Sequence, residues 1–128
     1  MKTPLSTPPR STFGDLPVIH KLTVVYKAVY ILANKISKRD RYGIYLKIET
    51  VALDALALGL EAALLSKGEK RPSLRALSIK IELLKHLLRV AHEVNAIDQR
   101  HYIAIEAELY ELSKMVSGWL KYVHANSA

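Results

Sequence analysis

The residues of this chain with the most chemistry in them are cationic. There are 19 lysines and arginines against 12 aspartates and glutamates, a formal net charge of +7. They are bunched. Lys35, Lys38, Arg39 and Arg41 surround Asp40, and folding the chain back on itself in long helices brings Arg89, His92 and Arg100 to the same end. Lys67, Lys70, Arg71, Arg75 and Lys121 gather at the other. Clusters of this kind bind phosphate backbones by releasing condensed counterions, with a log–log salt slope of about −0.9 per phosphate neutralised on duplex DNA. No RNA-recognition strand motif, KH loop or zinc finger accompanies them, so the sequence supports backbone and shape binding and not base reading. The same residues also read as ordinary solvated helix ends.

Catalytic signatures do not occur. The chain has no glycine-rich phosphate loop, no HExxH and no nucleophile elbow, which points away from an enzyme and from any cofactor. A bundle di-iron site needs a Glu-x-x-His pair on each of two helices. Here Glu82, His86 and Glu93 share a polar face without a second matching pair, and the five histidines read as solvated or capping residues. The chain has no cysteine, so neither a disulfide framework nor a thiolate metal site is available. The opening MKTPLSTPPRSTFGDLP has no apolar run of the secretory kind, and the expected location is the cytoplasm. The most apolar segment, 44–65, contains Lys47, Glu49, Asp54 and Glu61, as a buried helix would and a membrane span would not.

The elements that must position these residues are helices. The organising stretch is 74–94, which carries two apolar stripes. One is Leu74, Leu77, Ile81, Leu84, Leu88 and Ala91; the other is Ala76, Ile79, Leu83, Leu87, Val90 and Val94. At about 100° per residue the stripes stand roughly 120° apart, so the helix needs cover on two sides. A first helix is expected from Leu16 to Ile36, capped by Asp15. A second runs from an Asp40 cap to Ser66, a third from Pro72 to about Asn95, and a fourth from about Asp98 to His124. The last has the stripe Tyr102, Ile105, Leu109, Leu112, Val116, Trp119 and Val123. Four long helices, short connections and no strand pattern predict an all-α, antiparallel up-down-up-down four-helix bundle over 16–124. A Pro/Ser/Thr-rich arm (1–15) precedes it and a frayed tail (125–128) follows.

Five further residues stand out. Glu49 and Lys80 fall on apolar arcs, where a charge needs a partner: a buried salt bridge, a snorkelling lysine or a contact across a subunit interface. Gly59 suggests a neighbour packed close. Gly118 would let a backbone approach while Trp119 anchors the core.

In this order Asp40-Arg41-Tyr42, Lys47-Ile48-Glu49, Ile79-Lys80-Ile81-Glu82-Leu83-Leu84-Lys85, Leu87-Leu88-Arg89 and Met115 with Gly118-Trp119 resemble Avd. Avd is the accessory variability determinant of diversity-generating retroelements, grouped with the four-helix-bundle proteins of ribosomal-RNA intervening sequences. The resemblance spans about 16–122, with Ser117-Gly118 where the family often has two glycines. It implies a barrel-like homopentamer without catalytic residues that binds a reverse transcriptase and its template RNA during mutagenic retrohoming. Lys35, Lys38, Arg39, Arg41, Arg75, Lys85, Arg89 and Arg100 become the expected contacts to nucleic acid or polymerase. Glu49, Lys80, Gly118 and Trp119 become structural or interface residues. Intervening-sequence relatives share the fold without a polymerase partner, which leaves a purely structural oligomer as the alternative.

Overall fold

The computed structural model describes residues 15–125. The expected arm, apart from residue 15, and the last three residues of the tail lie outside the described residues. The chain forms α1 (Asp15–Leu32), extended by a 3₁₀ turn (Ala33–Lys35), then the single turn α2 (Lys38–Arg41) and α3 (Ile44–Leu64). A second 3₁₀ turn (Lys67–Glu69) leads into α4 (Lys70–Glu93), and α5 (Gln99–Ala125) follows. Among the described residues there is no strand. The four long helices close a ring in which α1 packs on α3 and α5, and α4 packs on the same two, as in a four-helix bundle.

The core is built by the expected stripes. Val18, Leu22, Val25, Val29 and Leu32 of α1 meet Ile48, Val51, Ala55 and Ala62 of α3. The first stripe of α4, Leu74 to Ala91, is wholly buried, as is the α5 stripe from Ile105 to Val123 with Trp119 in it. The α1 segment is long and apolar enough to cross a bilayer (Leu16–Lys35, mean hydropathy 1.4), but its Val18–Leu32 face lies in this core. Gly59 does what its position suggested. A Cβ there would collide with Leu22 Cδ1, so α1 and α3 cross where one of them has no side chain.

Cross-helix contacts give the register. Tyr45 donates to the Val29 carbonyl (2.9 Å) and Tyr26 donates to Glu49 Oε2 (3.2 Å). Together with Leu22 against Gly59, residue numbers fall along α1 as they rise along α3. Asp54 meets Lys80 and Glu61 meets Ser73 between α3 and α4. Tyr102 stacks on His92, and Arg71 meets His124, between α4 and α5.

Helix ends correct the expectation in three places. Asp40 does not cap the second long helix. The Ser37 hydroxyl accepts from Asp40 N and donates to its carboxylate, which closes α2 as a separate turn. The chain then leaves helical dihedrals at Gly43 (φ −110°, ψ −111°) before α3 begins. At the other end α3 stops at Leu64, ahead of Gly68, which sits in the following 3₁₀ turn. The third helix starts two residues earlier than Pro72, at Lys70. Its end fits the pattern of a left-handed C-terminal cap: Asn95 has φ 64°, Ala96 N donates to Ala91 O (2.7 Å) and Asn95 N to His92 O (3.0 Å). Asp98 then caps α5 by accepting from His101 N (2.8 Å).

The largest departure is Lys70. Grouped by sequence with the solvated basic residues, it is 2 % exposed. Its ammonium donates to Ala62 O (2.7 Å), Ala63 O (3.3 Å) and Leu65 O (2.8 Å), with the Trp119 ring 6.0 Å away. The last carbonyls of a helix have no donors of their own and form the negative pole of its dipole. Lys70 supplies both the donors and the countercharge, so it is the C-terminal cap of α3.

Two measurements check this account. Lys70→Met leaves those carbonyls without their donor and is expected to cost about 3 kcal/mol in denaturant unfolding. Tyr45 is the second test. Burial, then the nearby Glu49 carboxylate, push its hydroxyl from 10.0 up to about 12. The folded state therefore favours the protonated phenol. Its contribution is full below pH 10 and is lost as pH rises toward 12. Unfolding titrations across that range should show a flatter alkaline limb in Tyr45→Phe.

Candidate nucleic-acid and subunit interface

The eight basic residues picked out by sequence fall into separate places. Lys35 ends the 3₁₀ turn after α1; Lys38, Arg39 and Arg41 occupy α2, and all four are exposed. A single turn cannot bury an apolar face, so α2 presents its cations outward. Among the described residues their one ion-pair partner is Asp40, 3.5 Å from Arg39 Nε and already engaged by Ser37. Arg100 is exposed in the first turn of α5.

Lys85 and Arg89 are brought together in a groove of about 540 Å³ between α4 and α5, with Glu82, Ile103, Glu106, Ala107 and Tyr110. The groove is not uniformly basic. Lys85 pairs with Glu82 (3.2 Å), and Tyr102 donates to Glu106 (3.0 Å) beside it. Burial and Glu106 raise the Tyr102 hydroxyl, and the Arg89 guanidinium opposes them. Arg89 is therefore the groove's cation without a carboxylate of its own among the described residues, while Lys85 is partly neutralised.

Arg75 lies elsewhere, in a shallower hollow of about 270 Å³ between the start of α4 and the end of α5. Arg71, Leu120, Lys121 and His124 line it with Arg75. Among the described residues no group of three or more histidines and carboxylates is arranged to hold a metal ion.

The two charges on apolar arcs have partners within the chain. Lys80 Nζ lies 3.6 Å from Asp54 Oδ2 across the α3–α4 seam, both partly exposed. Glu49 is not in a buried salt bridge; it accepts the Tyr26 hydroxyl, and burial followed by that bond raises the Tyr26 pKa. The expectation for Gly118 does not hold within the chain, because a Cβ there would meet nothing within 4 Å. Trp119 reaches the core from helix geometry alone.

The second α4 stripe is the apolar surface left uncovered. Ile79 is 68 % exposed and Val94 56 %, with Ala76, Leu83, Leu87 and Val90 half-buried. On α3, Leu46, Leu53 and Leu60 recur every seven residues, each 44–50 % exposed. The Asp54–Lys80 pair sits between these two helices.

Sequence reading gathered Arg71 and Lys121 with Arg75 in the basic cluster at this end but did not single out His124. The i, i+4 spacing of Arg71 with Arg75 and the i, i+3 spacing of Lys121 with His124 were readable. What was not readable was that the two pairs face each other. A double-mutant cycle on Asp54→Ala and Lys80→Ala measures whether a partner covers the α3–α4 face. Solvent-exposed pairs couple by about 0.2–1 kcal/mol; a coupling above about 2 kcal/mol is expected if the seam is desolvated in an assembly. Compared with protein-family models, with curated proteins and with solved structures, the chain matches none.

Proposed function

We propose that this protein is a non-enzymatic RNA-binding module that self-associates through its α3–α4 face. The observation that carries the reading is the placement of the +7 charge in exposed cations with few carboxylate partners, above all Lys35, Lys38, Arg39 and Arg41. Charge of this kind binds phosphate backbones without regard to base identity. The uncovered stripe of Ile79, Leu83, Leu87 and Val90 beside Leu46, Leu53 and Leu60 supports self-association, because apolar area exposed on one face of a helix pair is the usual mark of an interface. The cross-helix register supports an antiparallel up-down-up-down bundle. The motif resemblance to Avd gives the finer form of the proposal: a cytoplasmic homopentamer that serves a retroelement reverse transcriptase and its template RNA. The alternative is a structural oligomer of the intervening-sequence kind, favoured by the same apolar face if the basic residues bind nothing.

Fluorescence anisotropy with a labelled single-stranded RNA tests the binding. The triple variant Lys38→Glu, Arg39→Glu, Arg41→Glu is expected to lose most affinity and to lower the salt slope by about 2, at roughly 0.7 per phosphate contact, while its helical circular dichroism is unchanged. Wild-type affinity in the variant would remove α2 from the interface. Light scattering tests assembly. Five copies of the 14.4 kDa chain are expected, and a monomer would end the oligomer reading. Affinity capture from the native host, with protein and RNA identified, separates the polymerase accessory from the structural relative.

A further inference from the structure

The hollow between the start of α4 and the end of α5 has a composition that helix stability does not account for. Arg71 and Arg75 stand in the first two turns of α4, at the positive pole of that helix, where cations are unfavourable. Lys121 and His124 face them from the last turns of α5, and among the described residues no carboxylate lines the hollow. Arg75 and Lys121 have no hydrogen-bond or ion-pair partner among the described residues. Arg71 is met by a nitrogen, His124 Nδ1, at 2.7 Å. A guanidinium can only donate, so Nδ1 accepts this bond. Three permanent cations and a histidine thus surround a space of about 270 Å³ floored by Leu120.

We propose that this hollow is a binding site for a phosphate group, with Arg71, Arg75 and Lys121 as its ligands and the His124 ring at its edge. Arginine forks match phosphate oxygens two at a time, and the i, i+4 pair on α4 offers two forks toward one point. An anion in the hollow offsets the mutual repulsion of Arg71, Arg75 and Lys121, which line it together. Assigning the phosphate to an RNA backbone rests on the RNA-binding reading above; the hollow's preference for a phosphate group does not.

Histidine-ring NMR with inorganic phosphate as the probe tests the site itself. In the wild type, phosphate is expected to move the His124 ring signals saturably, with a smaller or no effect on His20 and His86. Arg75→Ala/Lys121→Ala should abolish the response while leaving the rest of the spectrum in place. Absence of any His124 response in the wild type overturns the proposal, as does an undiminished response in the variant. A short oligouridylate, whose phosphodiesters keep their charge near neutrality, tests the source. It should displace inorganic phosphate from the wild type and bind several-fold more weakly to Arg75→Ala/Lys121→Ala. If inorganic phosphate moves the ring but the RNA neither moves it nor displaces the phosphate, the phosphate site stands and the RNA assignment falls. If the wild type binds no RNA at any pH while the phosphate response persists, the RNA-binding function fails and the phosphate site does not.

Discussion

The Lys70 ammonium, buried against the end of α3, is the interaction the bundle is arranged around. A charge out of water is costly, and here the solvent is replaced by three backbone carbonyls and the face of an indole. That replacement requires three things at once: α3 must end at Leu64, α4 must begin at Lys70, and Trp119 of α5 must stand beside both. One side chain therefore fixes the end of one helix, the start of the next and the depth of a third. It also explains why a glycine-containing turn of only five residues suffices between α3 and α4. The orphaned carbonyls need no extended loop to reach water.

The rest of the surface follows from how little of the basic charge is used this way. Lys21 is spent on Glu108 (2.6 Å) to join α1 with α5, Lys80 on Asp54, Lys85 on Glu82 and Lys114 on Glu111. The cations without a carboxylate partner among the described residues include Lys35, Lys38, Arg41, Arg89, Arg100 and the Arg71–Arg75–Lys121 group. The paired lysines sit along the helix flanks and the unpaired cations mostly toward helix ends, so the excess charge is concentrated where a polyanion could touch several turns together.

Much of the fold could be read from periodicity. The first α4 stripe and the α5 stripe from Ile105 onward are buried as their spacing required, because heptad-like repeats over several turns leave one solution for the core, whereas the second α4 stripe stays uncovered. The close approach at Gly59 was legible for the same reason. Caps were harder. Asp40 looked like the start of a helix, but Ser37 three residues earlier used it to close its own turn, and propensity does not rank two adjacent caps. Lys70 was illegible as a buried residue, since lysine beside Gly68, Glu69 and Arg71 reads as loop. Its fate was decided by carbonyls eight and five residues back. At the candidate sites, sequence located the clusters but not their pairings. Which cation is quenched depends on helix rotation, and a few tens of degrees separate Lys85, paired with Glu82, from Arg89, which is not.

The connections also set the order in which the ring can close. Each turn between consecutive long helices is tied by contacts between near neighbours in sequence: Ser37 with Asp40, Lys70 with Ala62 and Leu65, Asn95 with His92 and Asp98 with His101. Such contacts demand little loop-closure entropy. The α1–α5 seam is different. Its ion pair, Lys21 with Glu108, joins residues 87 positions apart, and nothing local prepares it. Three helical hairpins can form by local search, whereas the ring is completed only when the two ends of the chain meet. The chain entropy of folding is thus concentrated in one seam, and α1 is the helix whose docking turns a string of hairpins into a single cooperative unit.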